Sequence, residues 1–156
     1  MLIKEQVPPV ISPSPNSFAG LMEMYEINYI QLRLLLGDRG RTLGDHIVQL
    51  EGHLPILLQI RDCTTHTTTL MLTYLFGSKE APQGETRPDM LIRISHDALQ
   101  AEVLSHRCRL NDDLISARLR GTDSLLRCRW RMNRFLFKWL HYLRRRGYSF
   151  DSSKFN

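Results

Sequence analysis

One short segment of this chain holds the residue types needed for acid and base chemistry. Arg93, His96, Asp97 and Glu102 lie close together in the sequence. A histidine oriented by a carboxylate acts as a general base near neutral pH, and an arginine holds an anionic substrate. A structural role is the competing interpretation, because Asp at a tight turn bonds its own backbone and Arg93 and Glu102 suit a cross-strand ion pair. We favour the structural role and keep an enzyme or small-ligand site around His96 as the alternative.

A second candidate feature is a basic segment near the end of the chain. One amphipathic helix is predicted over residues 122 to 147, TDSLLRCRWRMNRFLFKWLHYLRRRG. At about 100° per residue around the helix axis, its side chains separate into a basic face and an apolar face. The basic stripe is about 27 Å long at a rise of about 1.5 Å per residue, comparable to several phosphates of a nucleic-acid strand. A solvated charged face is the competing interpretation. The predicted binding face consists of Arg127, Trp130, Arg131, Arg134, Lys138 and Arg145.

Two polar residues, Glu26 and Asn28, interrupt an otherwise apolar helical pattern. They either line a small pocket with Tyr25 and Tyr29 or tie the helix to strand-edge amides and to the hairpin turn. Buried polar groups need hydrogen-bond partners in both cases. We favour the tie, because structural polar groups outnumber ligand sites.

The sequence contains no pattern typical of a metal site, a phosphate-binding loop or a serine nucleophile. The six histidines form no helical metal pair, and the three cysteines, Cys63, Cys108 and Cys128, are widely spaced. No phosphate-binding glycine loop and no nucleophile elbow is present in the sequence. We therefore predict no catalytic residue, no metal, no cofactor and no disulfide framework, in a protein of the reducing cytoplasm.

Prolines, glycines and apolar periodicity divide the chain into elements. Residues 1–16 are predicted to be a flexible Pro-rich arm, and a helix follows from Ser17 to about Gly37. Three strands are expected between Thr42 and Phe76, since β-branched residues are frequent there. The later elements are a polar loop over 77–88, a hairpin over 90–103, an ambiguous segment over 107–121, the basic helix, and a polar tail over 148–156.

The length and composition of the chain are typical of one globular domain. The chain has 156 residues, of which 42% are hydrophobic and 24% charged, and a chain of this length buries a single core. We predict an α+β domain over residues 17–147, in which an antiparallel sheet of about five strands packs against the N-terminal helix and the long basic C-terminal helix. The predicted core comprises Phe18, Leu21, Tyr25, Leu32, Leu57, Ile60, Leu70, Leu72, Ile92, Ile94, Val103, Phe135, Trp139 and Leu143.

Three separate segments resemble a known family. They are MEMYEINYIQLRLLL at 22–36, MLIRISHDALQAEVLSHR at 90–107 and MNRFLFKWLHYLRRRG at 132–147. Joined in this order they are similar to the YqiB-like family, short bacterial proteins that form a domain of unknown function. The resemblance implies a family and brings no activity, substrate or cofactor with it.

Charge gives the only positive indication of function. Residues 107 to 146 contain twelve Lys and Arg against three Asp, a local balance of +9, whereas the rest of the chain balances at −4. Such asymmetry favours a partner that docks on one face. We expect a non-catalytic cytoplasmic binding or adaptor protein that contacts an acidic protein surface or nucleic acid. No transmembrane segment is expected, and a homodimer is left open by the broad apolar surface of the first helix.

Overall fold

The computed structural model describes residues 17–76, 85–104 and 123–151. Two helices, one short 3-10 helix and five strands follow one another along these residues. Their bounds are α1 Phe18–Leu36, the 3-10 helix Gly37–Arg41, β1 Gly44–Val48, β2 Ile56–Cys63, β3 Thr67–Phe76, β4 Glu85–Ser95, β5 Gln100–Leu104 and α2 Asp123–Arg146. The α+β prediction, with an N-terminal helix, a C-terminal helix and a five-stranded sheet, is confirmed.

The sheet is an antiparallel meander with the strand order β1-β2-β3-β4-β5. Its register places apolar residues opposite one another from strand to strand: Ile60 pairs with Leu70, Leu70 with Ile92, and Ile92 with Val103. All four side chains are buried, so they form a continuous apolar row on one face. Successive residues of a strand point to opposite faces, and this row therefore fixes which face meets the helices.

Both helices pack on that apolar row. Leu32 and Leu35 of α1 and Leu136 and Leu140 of α2 belong to the same buried cluster as the strand residues. A smaller cluster of Leu21, Met24, Tyr25 and Trp130 joins the two helices to each other. The core therefore has a sheet-to-helix part and a helix-to-helix part.

The ends of α1 follow from two local constraints. The Ser17 hydroxyl accepts a hydrogen bond from the Gly20 N–H at 3.0 Å, which caps the helix at its N-terminus. Gly37 ends the helix with a φ of 56°, and a Cβ at this position would lie 2.6 Å from the Cβ of Asp151. Both the backbone angle and the close approach require glycine.

Several sequence predictions need correction. The loop predicted over 77–88 is too long, because β4 already begins at Glu85. Pro88 lies where the β3–β4 register shifts, opposite the interval between Leu72 and Tyr74. A proline is tolerated at such an irregularity, because no ladder hydrogen bond is required from it there. The predicted arm over 1–16 and the ambiguous segment over 107–121 lie outside the described residues.

The predicted polar tail is also wrong at its start. Tyr148 and Phe150 are buried members of the main core, and the Phe150 N–H donates to the Leu35 carbonyl at 2.8 Å. Two predicted core residues are instead exposed, Phe18 at 68% and Phe135 at 49%. Both lie on helices, and apolar character alone does not reveal which apolar side chains of a helix are buried.

The cysteines of the described residues differ in state. Cys63 is a free thiol, whereas Cys128 is disulfide-bonded. Spacing along the sequence does not report distance in the fold, so wide separation does not exclude a single disulfide.

Replacing Phe150 by Ala tests whether the C-terminal residues belong to the core. We expect the free energy of unfolding to fall by about 3–5 kcal/mol, because a buried aromatic ring is lost and a cavity remains. Phe135→Ala is the matched control, with an expected loss of about 1 kcal/mol or less at a half-exposed site. Urea denaturation measures both losses, and equal losses in the two variants would contradict the assignment.

Candidate functional site

The cationic stripe predicted on the last helix faces solvent. Arg127, Arg131, Arg134, Lys138 and Arg145 are all exposed on α2. Within the described part of the chain, none of these five side chains has an acidic residue at ion-pair distance. The buried residues Leu136, Leu140 and Leu143 hold the opposite side of α2 against the sheet. The stripe is therefore a row of exposed cations on a helix whose opposite side is packed.

The aromatic residue assigned to this face was the wrong one. Trp130 is only 5% exposed and packs with Leu21, Met24 and Tyr25 between the two helices. The exposed aromatics are Phe135 and Tyr142, at 49% and 40%, on the other flank of the stripe.

The error has a geometric cause. The helical pattern places Trp130 and Phe135 on opposite flanks of the basic stripe, and sequence periodicity does not say which flank meets α1. Arg146 lies over the Tyr142 ring, with its guanidinium carbon 5.2 Å from the ring centroid. One of the two exposed rings therefore already has a cation as its neighbour.

The acid/base group predicted around His96 does not converge. Arg93 and Glu102 pair across β4 and β5 and form an ion pair, and Arg129 Nη1 lies 3.9 Å from the second Glu102 oxygen. Asp97 accepts a hydrogen bond from the Ala98 N–H at 3.0 Å and is exposed. His96 instead contacts Thr68 of β3. Three of the four residues thus have the structural roles that the sequence favoured.

His96 ends a chain of hydrogen bonds at the β2–β3 end of the sheet. Its Nε2 lies 2.8 Å from Thr68 Oγ1, which lies 3.7 Å from Cys63 Sγ, which in turn lies 3.8 Å from the Arg41 carbonyl oxygen. A carbonyl only accepts, so the Cys63 thiol donates to it and the Thr68 hydroxyl donates to sulfur. His96 Nε2 then donates to Thr68. This order leaves the buried Nδ1 as an acceptor, with no partner among the described residues.

The surroundings of His96 are cationic. Burial lowers the pKa of its imidazole from the ordinary value of 6.5, and the charges of Arg41 and Arg33 lower the pKa further. Asp97 opposes this effect, and His66 adds to it weakly. Arg33 and Arg41 were absent from the sequence-predicted site. The arginine-bearing turn GDRGR, directly after α1, was the available signal for Arg41.

Further contacts order the chain around these arginines. Arg33 Nη1 donates to the Tyr29 hydroxyl at 2.8 Å. Arg39 Nη1 lies 3.1 Å from His46 Nδ1, and His46 Nε2 lies 2.9 Å from the Thr42 carbonyl oxygen. Arginine only donates and a carbonyl only accepts, so His46 carries its proton on Nε2.

The polar pair on α1 separates into two different environments. Glu26 is exposed, so its predicted burial is wrong. Asn28 is fully buried, and its Nδ2 donates to the Asn133 carbonyl at 3.2 Å. Its Oδ1 has no partner among the described residues. Asn28 is therefore a structural tie, but it joins α1 to a carbonyl of α2, and the predicted partners, strand-edge amides and the hairpin turn, were wrong.

Asn133 extends this tie to the edge strand. Its Oδ1 accepts from the Val103 N–H at 2.9 Å, and its Nδ2 donates to the Arg129 carbonyl at 2.8 Å. The Asn133 side chain is completely buried. The Asn133 side chain thus holds α2 at β5, and the Asn133 carbonyl accepts a hydrogen bond from Asn28 of α1.

Two further kinds of site were searched for among the described residues. No group of three or more His, Cys, Asp or Glu side chains in this part of the chain is arranged to hold a metal ion. Neither α1 nor α2 combines the length and apolar character that crossing a bilayer requires, within the same described residues.

Replacing Asn133 by Ala tests the tie between the two layers. We expect the free energy of unfolding to fall by about 1–3 kcal/mol, because the buried Val103 N–H loses its acceptor. Arg134→Ala, at the next position and exposed, is the control and should leave stability nearly unchanged. Urea denaturation gives both values. An Asn133 variant as stable as the Arg134 variant would show that the hydrogen bonds contribute little.

The lowered pKa of His96 predicts a pH-dependent stability. The unfolded chain, with an imidazole pKa near 6.5, takes up this proton at higher pH than the folded protein. The free energy of unfolding should therefore decrease as the pH falls through 6.5, until it passes the folded pKa. In His96→Gln this part of the decrease should disappear. Urea denaturation across this pH range measures it, and an NMR titration that places His96 above 6.5 in the folded protein would refute it.

Comparison with known proteins gives the chain a family. The model of a family described as "Protein of unknown function (DUF1249)" matches residues 31–149. The chain is 30% identical over 129 residues to proteins named "Uncharacterized protein YqiB" from Escherichia coli strain K12 and from Escherichia coli O157:H7, a match that covers 80% of this chain and 86% of each relative. No solved structure matches the chain. These matches confirm the resemblance read from the three sequence segments, and the chain belongs to the DUF1249 family of YqiB-like bacterial proteins.

Proposed function

We propose that this protein is a non-catalytic binding protein that docks an acidic macromolecule on the exposed face of α2. This basic face consists of Arg127, Arg131, Arg134, Lys138 and Arg145. The observation that supports it best is the absence of acidic neighbours: within the described residues, all five cations face solvent without an ion pair. Unpaired cations on one face raise the association rate of an anionic partner.

The packing of α2 also supports docking. Leu136, Leu140 and Leu143 are fully buried, and Asn133 fixes the helix at β5. The helix backbone that carries the cations is therefore held in place by the core. Less conformational entropy is lost on binding when the surface is already ordered.

Single-stranded nucleic acid is the partner class that we favour. The basic face is about 27 Å long, and Phe135 and Tyr142 stand about 10 Å apart beside it. Aromatic rings next to a row of cations suit bases that stack while phosphates contact arginines. An acidic protein surface is the second candidate, because arginine and aromatic residues are also enriched at protein interfaces.

We also propose that the protein acts in the cytoplasm. A homodimer through α1 is compatible with it, because Ile30 and Leu34 are exposed one turn apart on that helix, at 54% and 48%. The enzyme alternative has less support, since His96 does not meet Arg93 and Glu102.

Salt-dependent binding tests the proposal. A labelled oligothymidylate of about 16 nucleotides, near the upper site size of one small binding surface, is titrated with the full chain and followed by fluorescence anisotropy. Affinity should fall steeply as salt rises. In the Arg127→Ala, Arg131→Ala, Arg134→Ala triple variant, the slope of log affinity against log salt should shrink by about 2, since each phosphate contact on a single strand contributes about 0.7.

Two controls locate the effect on α2. Arg61 is an exposed arginine of β2, outside the proposed face, so Arg61→Ala should leave binding unchanged where Arg131→Ala weakens it. The triple Lys variant at positions 127, 131 and 134 should keep most of the salt slope, because it keeps the charge. Binding of polyglutamate in place of the oligonucleotide would assign the face to acidic proteins. Binding to neither polyanion, or a slope that the triple Ala variant does not change, would refute the proposal.

A further inference from the structure

The exposed side of α1 carries negative charge beside apolar side chains. Glu23, Glu26, Ile30 and Leu34 are all exposed, and their spacing of three or four residues places them on one stripe of the helix. Within the described residues, neither glutamate has a cation at ion-pair distance. We call these four residues the acidic-apolar stripe. It presents two carboxylates and, further along the helix, two apolar side chains to solvent.

The only cation of α1, Arg33, is engaged elsewhere. Its Nη1 donates to the Tyr29 hydroxyl at 2.8 Å, and its guanidinium carbon lies 5.7 Å from the centre of the Tyr29 ring. Tyr29 is a buried member of the main core. These contacts draw the guanidinium toward the packed side of α1, so the acidic-apolar stripe keeps its negative charge.

The exposed side of α2 is complementary to this stripe. It combines the cations of the basic face with two exposed aromatic side chains, Phe135 and Tyr142. Both helices pack on the same face of the sheet, so the acidic-apolar stripe and the basic face lie on the same side of the molecule. Exposed apolar side chains grouped on one surface are typical of an interaction site.

The two helices run in the same direction, with a constant offset between neighbouring residues. Asn28 of α1 donates to the carbonyl of Asn133, 105 positions later. Tyr25 and Trp130, which share the small cluster between the helices, have the same separation. A residue of α1 therefore lies at about the level of the α2 residue that follows it by this offset.

A two-fold axis parallel to the helices preserves these levels. It places α1 of one copy over α2 of a second copy, and symmetry forms the same contact twice. Four pairs of exposed residues then agree with the offset to within one residue: Glu23 with Arg127, Glu26 with Arg131, Ile30 with Phe135 and Leu34 with Lys138. Carboxylates thus meet guanidinium groups, and apolar side chains meet an aromatic ring and the aliphatic stem of a lysine.

We propose that two copies of this chain associate through this contact, with the acidic-apolar stripe of each copy on the basic face of the other. The occupant of the stripe is a second copy because α2 supplies both the opposite charge and the matching order of charged and apolar residues.

The contact covers the same cations that we propose for docking. This consequence rests on the docking function proposed above: an anionic partner and a second copy compete for the basic face, so binding of the partner releases single copies. The paired form and the docked form then alternate, and the paired form is the one without a partner.

Sedimentation equilibrium of the full chain tests the contact. The mass should rise from one copy to two with protein concentration, and the dissociation constant should increase with salt, because opposite charges are paired. Glu23→Arg, Glu26→Arg brings like charges together and should raise the dissociation constant about tenfold or more. The control Asp45→Arg, Glu51→Arg makes the same charge change at exposed residues outside the helices and should leave it unchanged. A chain that stays single at every concentration would overturn the proposal.

A charge exchange between copies locates the contact. Arg127→Glu, Arg131→Glu should also weaken pairing. An equimolar mixture of this variant with Glu23→Arg, Glu26→Arg should restore it, because one contact is then native and the other has both charges exchanged. Backbone amide spectra verify that each variant is folded. Pairing of either variant alone at the strength of the unaltered chain, or a mixture without rescue, would overturn the proposal.

Addition of the oligothymidylate separates this proposal from the docking function. A saturating amount should convert pairs into single copies with oligonucleotide bound. Pairs that persist with bound oligonucleotide would overturn the proposed contact. A chain that pairs and shows the rescue, but binds neither the oligonucleotide nor polyglutamate, would refute the docking function and support the contact between copies. A chain that binds the oligonucleotide and never pairs would do the reverse.

Discussion

The hydrogen bonds of Asn133 are the constraint on which the surface of α2 depends. Its side chain joins the edge strand β5 to α2, and its carbonyl accepts a hydrogen bond from Asn28 of α1. These groups are buried, so leaving one without a partner is costly. A rotation of α2 about its axis would break all of these contacts at once. The direction in which the cations point is therefore fixed by an amide in the interior.

The basic helix uses its cations in two ways. Three of its arginines are engaged within the protein: Arg129 near Glu102, Arg144 donating to Gln31 at 2.6 Å, and Arg146 over the Tyr142 ring. Burial lowers the pKa of Arg144, as expected for a guanidinium partly withdrawn from water. The other five cations of α2 remain on the exposed side. Net charge counts all eight alike, whereas helical geometry separates the structural ones from those open to a partner.

Much of the fold could be predicted because it follows from local patterns. Alternation such as Met90, Ile92 and Ile94 defined a strand face, and helical spacing identified the five exposed cations of α2. The sequence indicated less well which side of each helix packs against the rest of the domain. Trp130 and Phe135 have similar apolar character, and only the position of α1 decides that the first is buried and the second exposed. The burial of Phe150 was not predicted either, because a short and mostly polar segment has no periodic pattern that indicates packing on the core.

The cluster around His96 shows why candidate sites are harder to predict than elements. Sequence proximity grouped His96 with Arg93 and Glu102, but successive strand residues alternate between faces, and the turn carries His96 toward Thr68. The charges that lower the pKa of its imidazole, those of Arg41 and Arg33, belong to a 3-10 turn and a helix end far earlier in the chain. A bulge between Ile60 and Asp62 sets the register in which Cys63 meets Thr68. The hydrogen-bond chain from Cys63 through Thr68 to His96 thus follows one irregularity in the sheet, which the spacing of residues along the sequence does not encode.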